Sequence, residues 1–324
     1  MFRKLFVILL SVLLCGCSSA TNSSSTRSIK ESGFLNQDFD TSGNFEEQVL
    51  YDQNDFKITV KPLEYSGSYI NFKILFQNNA SYDIYESMTG ENSINNRLTN
   101  ELYFFNTIEA GETYESERNI SIKALKELGI KSINTISLQC ELSNNDTNET
   151  LYEGEFNINT NLTKNKDIDI LDALVSKDVI ENNKMDVFMN ENVPIVDVDG
   201  VQLCSGVFYK YDDTGYIYAL VLDNQSNSKY YFTIDELKVN GVQLYDGAWI
   251  SDLVPSGKQE LMYINLTRAM EYGNADLSNV ESFDEISFTF KIQTYLGWFS
   301  YDTHYEKEIV VTLPNIQIDT ASES

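Results

Sequence analysis

The side chains able to do covalent or acid–base chemistry are few and scattered. His304 is the only histidine in 324 residues, and nucleophilic catalysis by a Ser–His or Cys–His pair needs such a base beside its nucleophile. No Gly-x-Ser-x-Gly elbow surrounds any serine, and neither Cys140 nor Cys204 has a histidine near it in sequence. His304 therefore reads as a surface loop residue. One histidine and two distant thiols fall short of a zinc ligand set. Asp197-Val-Asp199-Gly200 has the start of a calcium loop but lacks the later ligands and the glutamate at the twelfth position. With 49 acidic residues, carboxylate pairs at glycosidase spacing arise from abundance alone. The expectation is a non-enzymatic protein with no catalytic residue, no metal and no cofactor.

Recognition is the chemistry this sequence offers. The segment Tyr295-Leu-Gly-Trp298-Phe299-Ser-Tyr301, continuing to His304-Tyr305, gathers aromatic rings in what reads as the loop between the last two strands. Such rings supply contact area at low entropic cost. Tyr295, Trp298, Phe299, Tyr301 and Tyr305 are the expected ligand- or partner-binding residues. The same rings could instead fold back over their own sheet edge. The matching place earlier in the chain holds Asn144-Asn-Asp-Thr-Asn-Glu149, so a contact function would belong to the second half.

The N-terminus carries a different kind of signal. Arg3 and Lys4 precede an apolar run over residues 5–14 and then Leu14-Cys15-Gly16-Cys17, the order of an export signal too short to span a bilayer. The last four residues resemble the lipobox of bacterial lipoproteins. That resemblance implies cleavage after residue 16, lipid on Cys17, and a mature protein anchored on the extracytoplasmic face of the cell membrane. Cleavage removes Arg3 and Lys4 and no acid, taking the formal charge from −26 to −28. A chain this acidic is repelled by nucleic acid and by anionic headgroups, so attachment to the membrane would run through the lipid. Two cysteines then remain. Cys140 alternates with Ile136, Leu138 and Leu142 on an inward strand face, which favours a buried free thiol over a disulfide to Cys204 in a different domain.

These segments must be carried by a folded body, and the 42% hydrophobic and 12% aromatic content supports one. The body repeats itself at a spacing of about 145 residues. Phe56, Ile58 and Val60 match Val201 and Leu203. Tyr69-Ile-Asn-Phe-Lys-Ile-Leu-Phe-Gln-Asn-Asn-Ala80 matches Tyr216-Ile-Tyr-Ala-Leu-Val-Leu-Asp-Asn-Gln-Ser226, each a strand ending in an Asn-rich turn. Ile94-Asn95 matches Val239-Asn240, and the turn before Gly111 matches the one before Gly257. Ile120 and Ile122 are paired with Leu261 and Tyr263. Short helices close at Gly129 and Gly273, and period-two strands follow over residues 136–142 and 286–292, with last strands at 156–158 and 309–311.

The fold expected is mainly β, with two tandem antiparallel immunoglobulin-like β-sandwich domains, each carrying a short helical turn. The boundaries are 1–16 signal peptide, 17–45 Ser/Thr/Asn-rich tether, 46–162 first sandwich, 163–192 linker, 193–316 second sandwich and 317–324 tail. Ile168, Leu171, Leu174 and Val175 are spaced for one helix face over residues 167–176 of the linker. This helix could pack on the sandwiches or belong to a loose connector.

The chain also resembles an uncharacterised family of two-copy surface lipoproteins from low-GC Gram-positive bacteria, in which a strand ending in Asn-Asn precedes a Val-Asn-Gly strand. Here those are Asn78-Asn79 and Val239-Asn240-Gly241, while Ile94-Asn95-Asn96 departs from the pattern. The resemblance implies a surface lipoprotein and no particular activity. The reading that follows is a binding or interaction module of the cell envelope, with an envelope protein or a glycan as partner. Its rivals are the solute-binding lipoprotein of an ABC importer, which requires long helices in an α/β architecture, and an envelope or glycan hydrolase.

Overall fold

Ile70, Phe72, Ile74 and Phe76 are fully buried while the residues between them are not, the period-two signature of a strand with one face on a core. A computed structural model describes residues 38–317 apart from 89, 165, 212–214, 245–249, 273–280 and 298–299. Residues 1–37, with Cys17 and the export signal, lie outside the described residues.

The first half contributes β1 (Gln48–Gln53), β2 (Phe56–Val60), β3 (Glu64–Ser66), β4 (Tyr69–Asn78), β5 (Ile84–Met88), β6 (Ser93–Ile94), β7 (Arg97–Leu98), β8 (Phe104–Ile108), β9 (Thr113–Ser121), α1 (Ile122–Glu127), β10 (Thr135–Asn144) and β11 (Thr150–Asn159). Two short helices follow, α2 (Ile170–Leu174) and α3 (Lys177–Asn182). The second half contributes β12 (Met185–Val198), β13 (Val201–Tyr211), β14 (Gly215–Asn224), β15 (Tyr230–Val239), β16 (Val242–Gln243), β17 (Ile250–Val254), β18 (Lys258–Asn265), α4 (Leu266–Tyr272), β19 (Ser282–Gly297) and β20 (Ser300–Gln317).

The two halves are built alike. In the first, β2, β4 and β9 form one layer and β8, β5, β10 and β11 the other. In the second, β13, β14 and β18 face β17, β15, β19 and β20 in the same order. This is an immunoglobulin-like sandwich strand order, repeated. Each sandwich encloses its own apolar core, with Phe72, Phe76 and Phe104 fully buried in the first and Phe232, Phe288 and Phe290 in the second. Burying each such ring is worth roughly 1.5–3 kcal/mol.

Local turn chemistry explains the hairpins. Asn54-Asp55, Asn95-Asn96, Asp199-Gly200 and Asn240-Gly241 all have positive φ at both central positions, as a two-residue type I′ turn demands. Asp199-Gly200 is thus a hairpin turn joining Val198 to Val201. Asn95-Asn96 makes the same turn as Asn240-Gly241, because asparagine tolerates the left-handed region nearly as well as glycine. Side chains reinforce the match: Asn95 Oδ1 accepts from the N–H groups of Asn134 and Thr135, and Asn240 Oδ1 from those of Asp284 and Glu285.

Several boundaries differ from expectation. Among the described residues packing is present ahead of residue 46, for Phe39 is buried and Asn44 bonds to Leu63 through both ends of its amide. The linker holds two helices, and β12 begins inside it. Ile122 opens α1 rather than ending a strand. On β18 the core-facing residues are Met262 and Ile264, whereas Leu261 packs on the opposite face. The long helices of an α/β architecture are absent among the described residues, and no described helix is long and apolar enough to cross a membrane.

The linker is packed against both halves. Asp169 caps α2 by accepting from Leu171 and Asp172 N–H groups. Ile170, Leu171, Leu174, Val175 and Val179 then cover the outer face of β13 and β14 at Val207, Tyr209, Ala219 and Val221. Toward the first half, Arg97 donates to the carbonyls of Leu128 and Ile168, and Asp167 accepts from Asn95 Nδ2 and Lys131 N–H. The sheets meet too. Gln259 N–H donates to Asn96 O at 2.8 Å, joining β18 to β7, and the buried Lys258 ammonium reaches Glu155 at 3.0 Å and Ser137 Oγ at 2.8 Å.

Candidate functional site

The segment expected as a loop over residues 297–305 is mostly strand. β15 stays in register with β19 only as far as Tyr231 opposite Gln293. Beyond that point β19 and β20 continue alone to Gly297 opposite Ser300, a two-stranded ribbon rising past the rest of the sheet. His304 is a strand residue and not a loop residue. It is the extra residue of a bulge, since Ile292 pairs with Tyr305 and Gln293 with Thr303. A bulge re-aims the side chains beyond it. Here it leaves Tyr305 facing the core and brings Tyr301 directly opposite Tyr295 on the outer face.

The expected aromatic residues therefore separate. Tyr295 and Tyr301 are 46% and 37% exposed, and their ring centroids are 5.4 Å apart. Tyr305 packs partly buried against the second core, on the face opposite to Tyr295 and Tyr301. Trp298 and Phe299 lie outside the described residues. A residue absent from the sequence-based set completes the group: Tyr231, on β15, sits 5.6 Å from Tyr295 and 5.5 Å from Tyr301. Crowding by its neighbours desolvates the Tyr231 phenol and pushes its pKa up, with Tyr301, Glu91 and Tyr295 adding to the effect. The Tyr231 hydroxyl is thereby kept protonated, a neutral hydrogen-bonding group.

The cluster continues into a polar ladder on the same face. Thr233 Oγ1 donates to Gln293 Oε1 at 3.3 Å, and Gln293 Nε2 donates to Thr303 Oγ1 at 3.0 Å. One step further, Lys291 is held by Asp235 at 3.1 Å and Glu306 at 3.8 Å. On the core-facing side of the ribbon, His304 Nε2 shares a hydrogen bond of 2.7 Å with Thr294 Oγ1, and its ring lies 5.4 Å from that of Tyr230. That histidine is tied into the sheet with no nucleophilic thiol beside it.

The two described thiols and the Ser205–Tyr218 hydroxyl pair are set back from the surface. Cys140 and Cys204 are both free thiols. Burial pushes Cys140 far up and Cys204 up to about 11, which keeps both protonated and poorly nucleophilic. Ser205 Oγ meets the buried Tyr218 hydroxyl at 2.9 Å, and burial holds that phenol up at about 12, so it stays protonated and has no phenolate to take the serine proton. Among the described residues, no three His, Cys, Asp or Glu side chains are grouped to hold a metal ion.

Comparison with known proteins adds no assignment: no family model matches the chain, and no curated protein matches it either.

Proposed function

We propose that this protein is a lipid-anchored, non-enzymatic binding module on the extracytoplasmic face of the cell membrane. The observation that carries the reading is the outward display of Tyr231, Tyr295 and Tyr301 on a ribbon that rises beyond its own sheet. Exposed tyrosines on rigid strands offer contact area without an ordering cost. Cys17 fixes the location, the polar segment after it sets the reach, and contacts through Lys258, Arg97 and the linker helices join the two sandwiches that carry the ribbon.

The test is in-cell crosslinking of the anchored protein followed by mass spectrometry, comparing native protein with the Tyr295→Ala/Tyr301→Ala variant. A discrete envelope component captured by the native chain and lost from the variant supports the reading. Capture that ignores both tyrosines contradicts it.

A further inference from the structure

We infer that the outward strip formed by Tyr231, Tyr295, Tyr301, Thr233, Gln293 and Thr303 binds a neutral oligosaccharide. This deepens the proposed function and rests on the reading of this face as a contact surface.

Three features narrow the ligand class. First, the strip is uncharged in a chain with 49 acidic and 23 basic residues. Its functional groups are phenols, hydroxyls and one amide, and the ions nearest it are paired, Lys291 with Asp235 and Glu306 at one end and Glu91 with Lys229 beside Tyr231. An ionic partner would find no free counter-charge there. Second, hydroxyls and a side-chain amide are aligned across three strands by the bonds Thr233 to Gln293 and Gln293 to Thr303. Each of these groups retains further donor or acceptor capacity, as a ligand with many hydroxyls requires. Third, the ladder runs directly into the tyrosine cluster, of which Tyr295 and Tyr301 are exposed. A pyranose presents C–H groups on its faces and hydroxyls at its rim, so it can lie on Tyr295 or Tyr301 while its rim meets the ladder.

Three strands at about 4.8 Å spacing and the two-residue step from Gln293 to Tyr295 at about 3.3 Å per residue give a strip of roughly 10 by 7 Å between backbone positions. That area suits a contact with one or two sugar rings of a chain.

The experiment is an array of immobilised neutral and acidic oligosaccharides probed with the detergent-solubilised full chain, with isothermal titration of chitohexaose, cellohexaose and maltohexaose in parallel. Tyr301→Ala and Gln293→Ala are compared with native protein, with Tyr301→Phe as the variant that keeps the ring and Phe105→Ala as a control on an exposed aromatic of the other half. Expected is a signal confined to neutral glycans, weakened about tenfold or more by Tyr301→Ala and severalfold by Gln293→Ala, and retained by Tyr301→Phe and Phe105→Ala. A preference for sialylated or sulfated glycans, or no glycan signal that depends on Tyr301, overturns the proposal. If crosslinking in cells then still captures a protein through Tyr301, the contact-surface reading survives and only the glycan assignment fails; if capture is also indifferent to Tyr301, both fail.

Discussion

Asn78 and Asn224 hold the same place and make the same three contacts in the two halves of the chain. Asn78 Nδ2 donates to the carbonyls of Tyr82 and Ile108, and its Oδ1 accepts from Ala80 N–H. Asn224 Nδ2 donates to those of Ser228 and Val254, and its Oδ1 accepts from Ser226 N–H. Both are fully buried at the end of the central strand of a sandwich. Each joins the two layers where the chain crosses between them, a relationship that strand order alone would not require and that a duplication explains.

Replacing either asparagine with alanine strands one buried carbonyl, that of Ile108 or Val254, and removes the partner of a second, less buried carbonyl and of one N–H. We predict a loss of roughly 3 kcal/mol for Asn78→Ala and a similar loss for Asn224→Ala, read from urea unfolding curves. A cost below about 1 kcal/mol at both positions would show that water replaces these bonds freely.

The junction is predicted to depend on Lys258. Lys258→Ala leaves Glu155 and Ser137 without their cation and should cost roughly 2 kcal/mol, less than a fully buried pair because Glu155 keeps some contact with water. Amide exchange at Gln259, whose N–H bonds to Asn96 O, should accelerate in this variant. The double replacement Lys258→Met/Glu155→Leu should recover most of the loss. Unchanged exchange at Gln259 would mean that the sheets are joined by the helices alone.

Glu86 lies on the inward face of β5 between Ile84 and Met88, fully buried, with Oε1 meeting no donor among the described residues. Burial pushes its pKa up to about 7 against a weak opposing bond from Asn106. The folded chain therefore holds this proton where the unfolded chain has released it. The stability tied to it is intact below the ordinary glutamate range and is lost as pH rises to about 7, a change of about 3 kcal/mol. Unfolding free energies at pH 5 and pH 8 should differ less in Glu86→Gln than in native protein. An identical pH slope in the two would contradict the assignment.

Lipidation makes a separate prediction. Metabolic labelling with palmitate should mark the native chain and fail for Cys17→Ser, with the variant lost from the lipid-anchored membrane fraction. Labelling that survives the substitution would remove Cys17 from the account.

How far the sequence revealed this depended on whether the signal was local. β4 was legible because one face meets the core and the other meets water. β14 reads as an unbroken apolar run, since Ile217, Ala219 and Val221 lie beneath or beside the linker helices while Tyr218, Leu220 and Leu222 face the core. Such a run marks a strand covered on both faces, and the helix that covers it was the one the linker spacing suggested. β12 was missed because three register shifts break its alternation around Asn190 and Pro194. At the site, Tyr295 and Tyr301 were legible as a cluster. Tyr231 was not, because it joins them only through its pairing with Gln293, and the bulge at His304 that turns Tyr301 outward while Tyr305 stays inward has no residue signature.

The central claim is that Tyr295 and Tyr301 serve contact rather than stability. The most direct measurement is thermal unfolding of Tyr295→Ala/Tyr301→Ala beside capture of partners from cells. With both rings substantially exposed, the midpoint is predicted to fall by no more than about 4 °C, the effect of roughly 1 kcal/mol in a chain of this size, while capture is lost. A fall of about 8 °C or more with capture unchanged would make the cluster a structural brace and contradict the account.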